Sequence, residues 1–101
     1  MTAQGTPLTR FRRAVEAQSV ALAELAARES GRLPLPDALA LVVLYARLGD
    51  RKFELAAVRW LARLADERRP SLADVTLAAA ALSAVREQPE RALRILAELC
   101  R

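Results

Sequence analysis

The chain has 101 residues, a formal net charge of +4, a single Cys and no His. This length allows one domain, and these counts argue against zinc sites, disulfide frameworks and catalysis that depends on His. Ala and Leu dominate a hydrophobic fraction of 53%, whereas aromatic residues make up only 4%. Such usage is typical of helices, and we therefore predict an all-α fold.

Glycine, proline and serine residues divide the chain into five segments of helical length with short connections between them. The first predicted helix covers residues 6–30, with Thr6 as its cap. Two helical hairpins follow it, over residues 36–69 and residues 70–101. We therefore expect a single domain of about five helices that spans residues 1–101.

The predicted N-terminal helix carries one apolar stripe. Apolar side chains recur in steps of three and four residues from Leu8 to Leu25, and only Gln18 interrupts them. We expect this stripe to pack against the rest of the chain. A coiled-coil seam in which Gln18 sets the register is the alternative.

The first helix of each predicted hairpin carries almost no charge. Residues 38–46 and residues 75–85 contain no charged side chain, a pattern typical of helices that neighbours enclose on every side. The second helices are amphipathic and are expected to turn their apolar faces inward. The residues that we expect in the core are Phe11, Leu22, Leu41, Tyr45, Phe53, Trp60, Leu64, Leu77 and Leu96.

The order of an uncharged helix, a short turn and an amphipathic helix occurs twice. A shift of 35 residues aligns residues 57–64 with residues 92–99 and gives five identities in eight positions. In the first unit Leu41 and Tyr45 lie four positions apart, and Pro70 ends the unit. These features resemble the tetratricopeptide-like helical hairpin repeats.

The resemblance covers about residues 36–100 and implies a right-handed stack of antiparallel helix pairs that serves in protein recognition. In that family the first helix of each pair presents polar and charged residues to a ligand, whereas the uncharged helices of this chain offer almost none. Two arrangements remain open. Either the N-terminal helix covers the uncharged helices, or they form an interface with another chain.

Six basic residues form a candidate binding patch. If the N-terminal helix packs antiparallel to the helix that follows it, all six lie at one end of the molecule and are able to contact phosphates. These residues are Arg10, Arg12, Arg13, Arg47, Arg51 and Lys52.

The sequence shows no active-site pair of carboxylates, no glycine-rich phosphate loop and no nucleophile with a base nearby. We therefore expect no enzymatic activity, no cofactor and no bound metal. Residues 38–46, the longest apolar run, are too short to span a membrane, and residues 1–10 lack the apolar core of a signal peptide. We expect a cytoplasmic protein that does not insert into membranes.

These observations favour a small noncatalytic protein-interaction module, an adaptor or regulatory subunit that binds another protein or forms a homo-oligomer. The alternative is a nucleic-acid-binding accessory protein that uses the arginine-rich patch. Salt distinguishes the two functions, because binding to phosphates weakens steeply as salt rises, whereas contact between apolar helix faces does not.

Overall fold

The computed structural model describes residues 5–101, so residues 1–4 of the predicted domain lie outside the described part. The described residues are 75% helical and contain no strand, which confirms the all-α class. This described part forms six helices rather than about five. They are α1 (Pro7–Glu16), α2 (Val20–Ser30), α3 (Leu35–Arg47), α4 (Phe53–Arg68), α5 (Leu72–Ser83) and α6 (Pro89–Leu99).

The extra helix arises because the predicted helix over residues 6–30 is broken at its centre. Gln18 adopts a left-handed backbone conformation with φ 57°, which cannot continue a right-handed helix. Ser19 then caps α2, because its hydroxyl accepts a hydrogen bond from the Leu22 N–H at 3.3 Å. The chain reverses at this turn, and α1 and α2 pack against each other as a helical hairpin.

Two apolar clusters form the core, and α3 contributes to both. The larger cluster joins α3 to α4, α5 and α6 around Leu39, Trp60 and Leu96. The smaller cluster joins α3 to α1 and α2, with Phe11 and Leu44 at its centre. Because apolar side chains leave α3 in several directions, this helix has to be enclosed, as its charge-free sequence predicts.

The contacts between helices place α3 in the middle of an elongated molecule of 47 × 27 × 20 Å. Within residues 5–101, α3 packs against α1, α2, α4 and α6. Among the helices described, the α1–α2 hairpin contacts only α3 outside itself, and α5 contacts only α4 and α6. Hence α5 lies on the far side of the molecule from the α1–α2 hairpin.

Seven of the nine expected core residues are buried or partly buried. The buried ones are Phe11, Tyr45, Trp60, Leu64 and Leu96. Leu41 and Phe53 are partly buried and pack against the edges of the two clusters.

The prediction that Leu22 lies in the core is wrong, since its side chain is 58% exposed. The break at Gln18 starts a new helix with its own rotation, so the apolar stripe of α1 does not continue into α2. The buried positions of α2 are Ala23 and Ala26 instead.

The prediction for Leu77 is also wrong, since this side chain is 45% exposed. The buried face of α5 is formed by Ala78, Ala81 and Leu82. Leu77 lies outside that face, and it stays exposed because no helix within residues 5–101 packs on this side of α5.

A pair of leucine substitutions tests this distribution of buried residues. Leu64 is fully buried in the larger cluster, whereas Leu72 is 82% exposed at the start of α5. We expect Leu64→Ala to lower the free energy of unfolding by about 2–5 kcal/mol, because it removes buried methyl groups and leaves a cavity. Leu72→Ala is expected to change it by less than about 0.5 kcal/mol. Urea unfolding followed by circular dichroism measures both, and equal losses would contradict the core assignment.

A substitution at Gln18 tests the turn between α1 and α2. A left-handed conformation strains any residue that has a Cβ atom, and glycine removes that strain. We expect Gln18→Gly to raise the free energy of unfolding by about 0.5–1 kcal/mol, after allowance for the greater entropy of glycine in the unfolded chain. Gln18→Ala keeps the Cβ atom and serves as the control. A Gly variant no more stable than the Ala variant would show that residue 18 is not held in this conformation.

Candidate interaction surfaces

The predicted basic patch is divided between the two ends of α3. Arg12 contacts Asp37 in the first turn of α3, while Gln18, beyond the end of α1, lines the same cavity as Arg47 in the last turn of α3. The two helices therefore run in the same direction and not antiparallel as the patch required. About 20 Å, the length of a 13-residue helix, separates the groups. Arg10, Arg12 and Arg13 lie near the beginning of α3, and Arg47, Arg51 and Lys52 lie near its end.

Half of the predicted patch is engaged in ion pairs. The pairs are Arg10 with Glu29 at 2.7 Å, Arg12 with Asp37 at 2.9 Å and Lys52 with Glu24 at 2.9 Å. Arg13, Arg47 and Arg51 form no ion pair within residues 5–101. Neither end of α3 therefore gathers the charge that the sequence suggested.

The ion pair between Arg12 and Asp37 links α1 to the start of α3. The Nε and Nη2 atoms of Arg12 donate to the two carboxylate oxygens of Asp37 at 2.9 and 3.1 Å. Asp37 is buried, and its negative charge lies in the first turn of α3, where the helix dipole stabilises an anion. This bidentate geometry is the strong form of the arginine–carboxylate interaction.

Glu24 links α2 to the other end of α3. Its Oε2 atom accepts hydrogen bonds from the Tyr45 hydroxyl at 2.5 Å and from the Lys52 ammonium at 2.9 Å. The hydrogen bond from Lys52, and after it that from Tyr45, hold the pKa of Glu24 below its ordinary value. Burial and the hydrogen bond to Glu24 raise the pKa of Tyr45, which therefore stays protonated and keeps donating. The contact is a structural link between three helical segments.

The outer side of α5 is an exposed surface without charge, which we call the α5 face. It comprises Leu72, Ala73, Thr76, Leu77, Ala80 and Ser83, all of them exposed. The charged residue of α5, Asp74, lies in the capped first turn, where Ser71 accepts a hydrogen bond from its N–H.

The hydroxyl groups of the α5 face are turned back toward their own helix. The hydroxyl of Thr76 donates to the Leu72 carbonyl, and that of Ser83 donates to the Ala79 carbonyl, each at 2.9 Å. Their donor capacity is thus used inside the helix, and the face presents mainly carbon to solvent. Within residues 5–101, the N-terminal helices pack against α3 but not against α5, so they cover one of the two uncharged helices.

A groove between α4 and α5 extends the α5 face. It has a volume of about 170 Å³ and is lined mainly by apolar side chains, among them Val58 and Leu61 of α4 and Ala79 and Leu82 of α5. Val58 is exposed at its edge. The apolar surface therefore spans two helices and has a concave part, and Glu54 is the charged residue that lines the groove.

The α1–α2 hairpin carries a second exposed apolar groove, of about 350 Å³. We call it the hairpin groove. Exposed Leu22 and Leu25 line it. Unlike the α5 face it has charged edges, because Arg10, Arg13 and Glu29 also line it.

The described residues offer few groups for catalytic or metal chemistry. Within residues 5–101, no three His, Cys, Asp or Glu side chains lie together in a way that holds a metal ion. Cys100 is buried, and burial raises the pKa of its thiol, which disfavours the reactive thiolate. None of the helices described is both long and apolar enough to cross a membrane.

No protein-family profile, curated protein or solved structure matches this chain. The sequence contained a signal for the α5 face, because the exposed positions of α5 recur at helical spacing and none of them is charged. The same pattern also fits a buried helix, since a local pattern does not show how many neighbours a helix has.

A substitution at Glu24 tests its role as a link. The pKa of Glu24 in the folded chain lies below its ordinary value near 4.5, so the folded state binds this proton less readily than the unfolded state does. The stability that the carboxylate contributes is therefore present above about pH 4.5 and is lost as the pH falls through the lowered pKa. We expect Glu24→Gln to be less stable than the wild type at neutral pH, and this difference to shrink on acidification.

Unfolding in urea at neutral pH and at about pH 3 measures this difference. Glu98→Gln is the matched control, because Glu98 lies in an exposed pair with Arg101 at 3.3 Å. Its difference from the wild type is expected to stay small at both pH values. A Glu24→Gln difference that is independent of pH would contradict the proposed role of the charge.

Proposed function

We propose that this chain is a small noncatalytic protein-interaction module, an adaptor or regulatory subunit, and that α5 is the helix that contacts its partner. The observation that carries the proposal is the α5 face, in which six exposed residues carry no charge. Charged residues make up 28% of the chain and are mostly placed on surfaces. Depletion of charge at the centre of a surface is characteristic of protein interfaces.

The partner that fits the α5 face is a protein with an apolar helix of its own. The small side chains of Ala73, Ala80 and Ser83 let another helix approach α5 closely. The groove beside Val58 and Leu61 accepts larger side chains. A charged partner surface would lose solvation at this face without gaining an ion pair. A second copy of the chain is one such partner, because an uncharged face is electrostatically complementary to itself.

The resemblance to tetratricopeptide-like repeats supports the same role. The hairpins α3–α4 and α5–α6 follow each other, and they meet where α4 contacts α5 and α6 contacts α3. We propose that they are two related units of a helical repeat. Repeats of this kind bury apolar faces by stacking, and two units leave an outer face that a further chain is able to cover.

The alternative function, binding of nucleic acid, has less support. It requires a continuous run of unpaired cations to follow a phosphate backbone. Three of the six basic residues proposed for it are in ion pairs, and the two groups lie at opposite ends of α3.

Two exposed leucines provide a direct test of the α5 face. Leu77→Glu places a charge on that face, and Leu22→Glu places the same charge on the hairpin groove. Neither leucine is part of the core, so both variants are expected to fold. A charge buried in an apolar interface costs about 2 kcal/mol or more, which weakens binding about thirtyfold. We expect Leu77→Glu to weaken association by at least that factor and Leu22→Glu to leave it unchanged.

The readout has two arms. Light scattering after size exclusion detects self-association. A photoreactive amino acid at Ala80, compared with one at Arg94 on the exposed side of α6, identifies a different protein partner by crosslinking in the native cells. Self-association or a crosslink that depends on the α5 face supports the proposal. A monomer without an α5 crosslink, or equal effects of Leu77→Glu and Leu22→Glu, would overturn it.

A further inference from the structure

A pocket of about 430 Å³ lies beside the turn between α3 and α4, and we call it the turn pocket. Three of the residues that line it are cations, and none is a carboxylate. The lining residues are Tyr45, Arg51, Lys52, Leu55, Ala56 and Arg59. This composition differs from that of the other two surfaces, since the α5 face has no charge and the hairpin groove has charges of both signs.

Two of the three cations are free to bind a ligand. Arg51 and Arg59 form no ion pair within the part of the chain that the structure describes. Lys52 is held by Glu24. The Asp50 carboxylate, the nearest one in sequence, accepts a hydrogen bond from the backbone N–H of Lys52 at 2.8 Å. The pocket therefore keeps two guanidinium groups that form no ion pair, while the carboxylates of Glu24 and Asp50 both contact Lys52.

The backbone adds to this positive potential. The pocket lies at the beginning of α4, a helix of 16 residues whose N-terminus has no side-chain cap. The partial positive charge of a helix N-terminus favours an anion nearby. Glu54, the acidic residue of the first turn, lines the groove toward α5 and not the turn pocket.

The floor of the pocket is apolar. Leu55 lies four residues after Arg51 and four before Arg59, so the three share one face of the helix and its preceding turn. The Leu55 side chain is 54% exposed, and Ala56 lies beside it. A ligand here meets carbon as well as cationic side chains.

We propose that the turn pocket binds a phosphomonoester that carries a small apolar group. A phosphomonoester has a charge of about −1.5 to −2 near neutral pH, which matches two free guanidinium groups. Arginine binds phosphate oxygens through paired N–H donors. The apolar group of the ligand packs on Leu55. A phosphodiester backbone fits less well, because Arg47 lines a different cavity and does not extend the cationic surface.

Calorimetric titration of the full chain with phenyl phosphate tests this site, since that probe joins one phosphate to one apolar ring. Inorganic phosphate supplies the charge alone, and phenol supplies the ring alone. We expect saturable binding of phenyl phosphate, weaker binding of inorganic phosphate and none of phenol. Amide NMR shifts are expected to concentrate at residues 51–59.

Substitutions then distinguish binding at the turn pocket from nonspecific attraction of an anion to a basic protein. We expect Arg51→Gln and Arg59→Gln each to weaken binding about fivefold or more, because each removes one charged contact. Arg94→Gln removes the same charge from an exposed position of α6 and is expected to change affinity less than twofold. Leu55→Ser is expected to weaken binding of phenyl phosphate but not of inorganic phosphate.

Two results would overturn the proposal: no saturable binding of phenyl phosphate, or an Arg94→Gln effect as large as that of Arg59→Gln. The Leu77→Glu variant keeps this test independent of the proposed function, because it alters the α5 face and is expected to bind phenyl phosphate normally.

Discussion

The enclosure of α3 is the constraint on which the rest of the structure depends. Its side chains enter both apolar clusters, with Leu39 on the side of α4 and α6 and Leu44 on the side of α1 and α2. A helix that is apolar in several directions is unstable in water until each direction is covered. The α1–α2 hairpin covers one side, and α4 and α6 cover the others. The order of the helices around the molecule follows from this requirement.

The contacts that hold the α1–α2 hairpin against α3 explain why several of the basic residues are in ion pairs. Many of the hairpin's buried positions are alanines, including Ala14, Ala23 and Ala26, and each contributes less burial than a leucine would. Polar contacts at both ends of α3 supplement this small core, through Arg12 on one side and Glu24 on the other. Three of the six cations of the predicted patch are thus in ion pairs that involve the hairpin. The sequence alone does not show these partners.

Local patterns in the sequence predict a helix well where strong signals mark its beginning or its end. Ser71 caps the beginning of α5, and Pro89 is the first residue of α6. The all-helical class follows from composition. The break at Gln18 was missed because the apolar spacing continues across it, although Ser19 is a good cap and offered a local signal. Once the chain turns there, α1 runs alongside α3 in the same direction, and the basic patch is divided. One misjudged connection therefore changes the candidate site more than it changes the fold.

The comparison of α3 with α5 shows why burial is harder to predict than helicity. Both helices have long uncharged stretches, yet in the part of the chain that the structure describes α3 has four neighbouring helices and α5 has two. The number of neighbours depends on the whole topology, and no window of sequence contains it. The difference also bears on function. Because α5 lies away from α3, a partner can dock there without disturbing the contacts that enclose the central helix. Such a partner would supply the neighbour that α5 lacks. The α5 face would then be buried, as the uncharged sequence of α5 predicts.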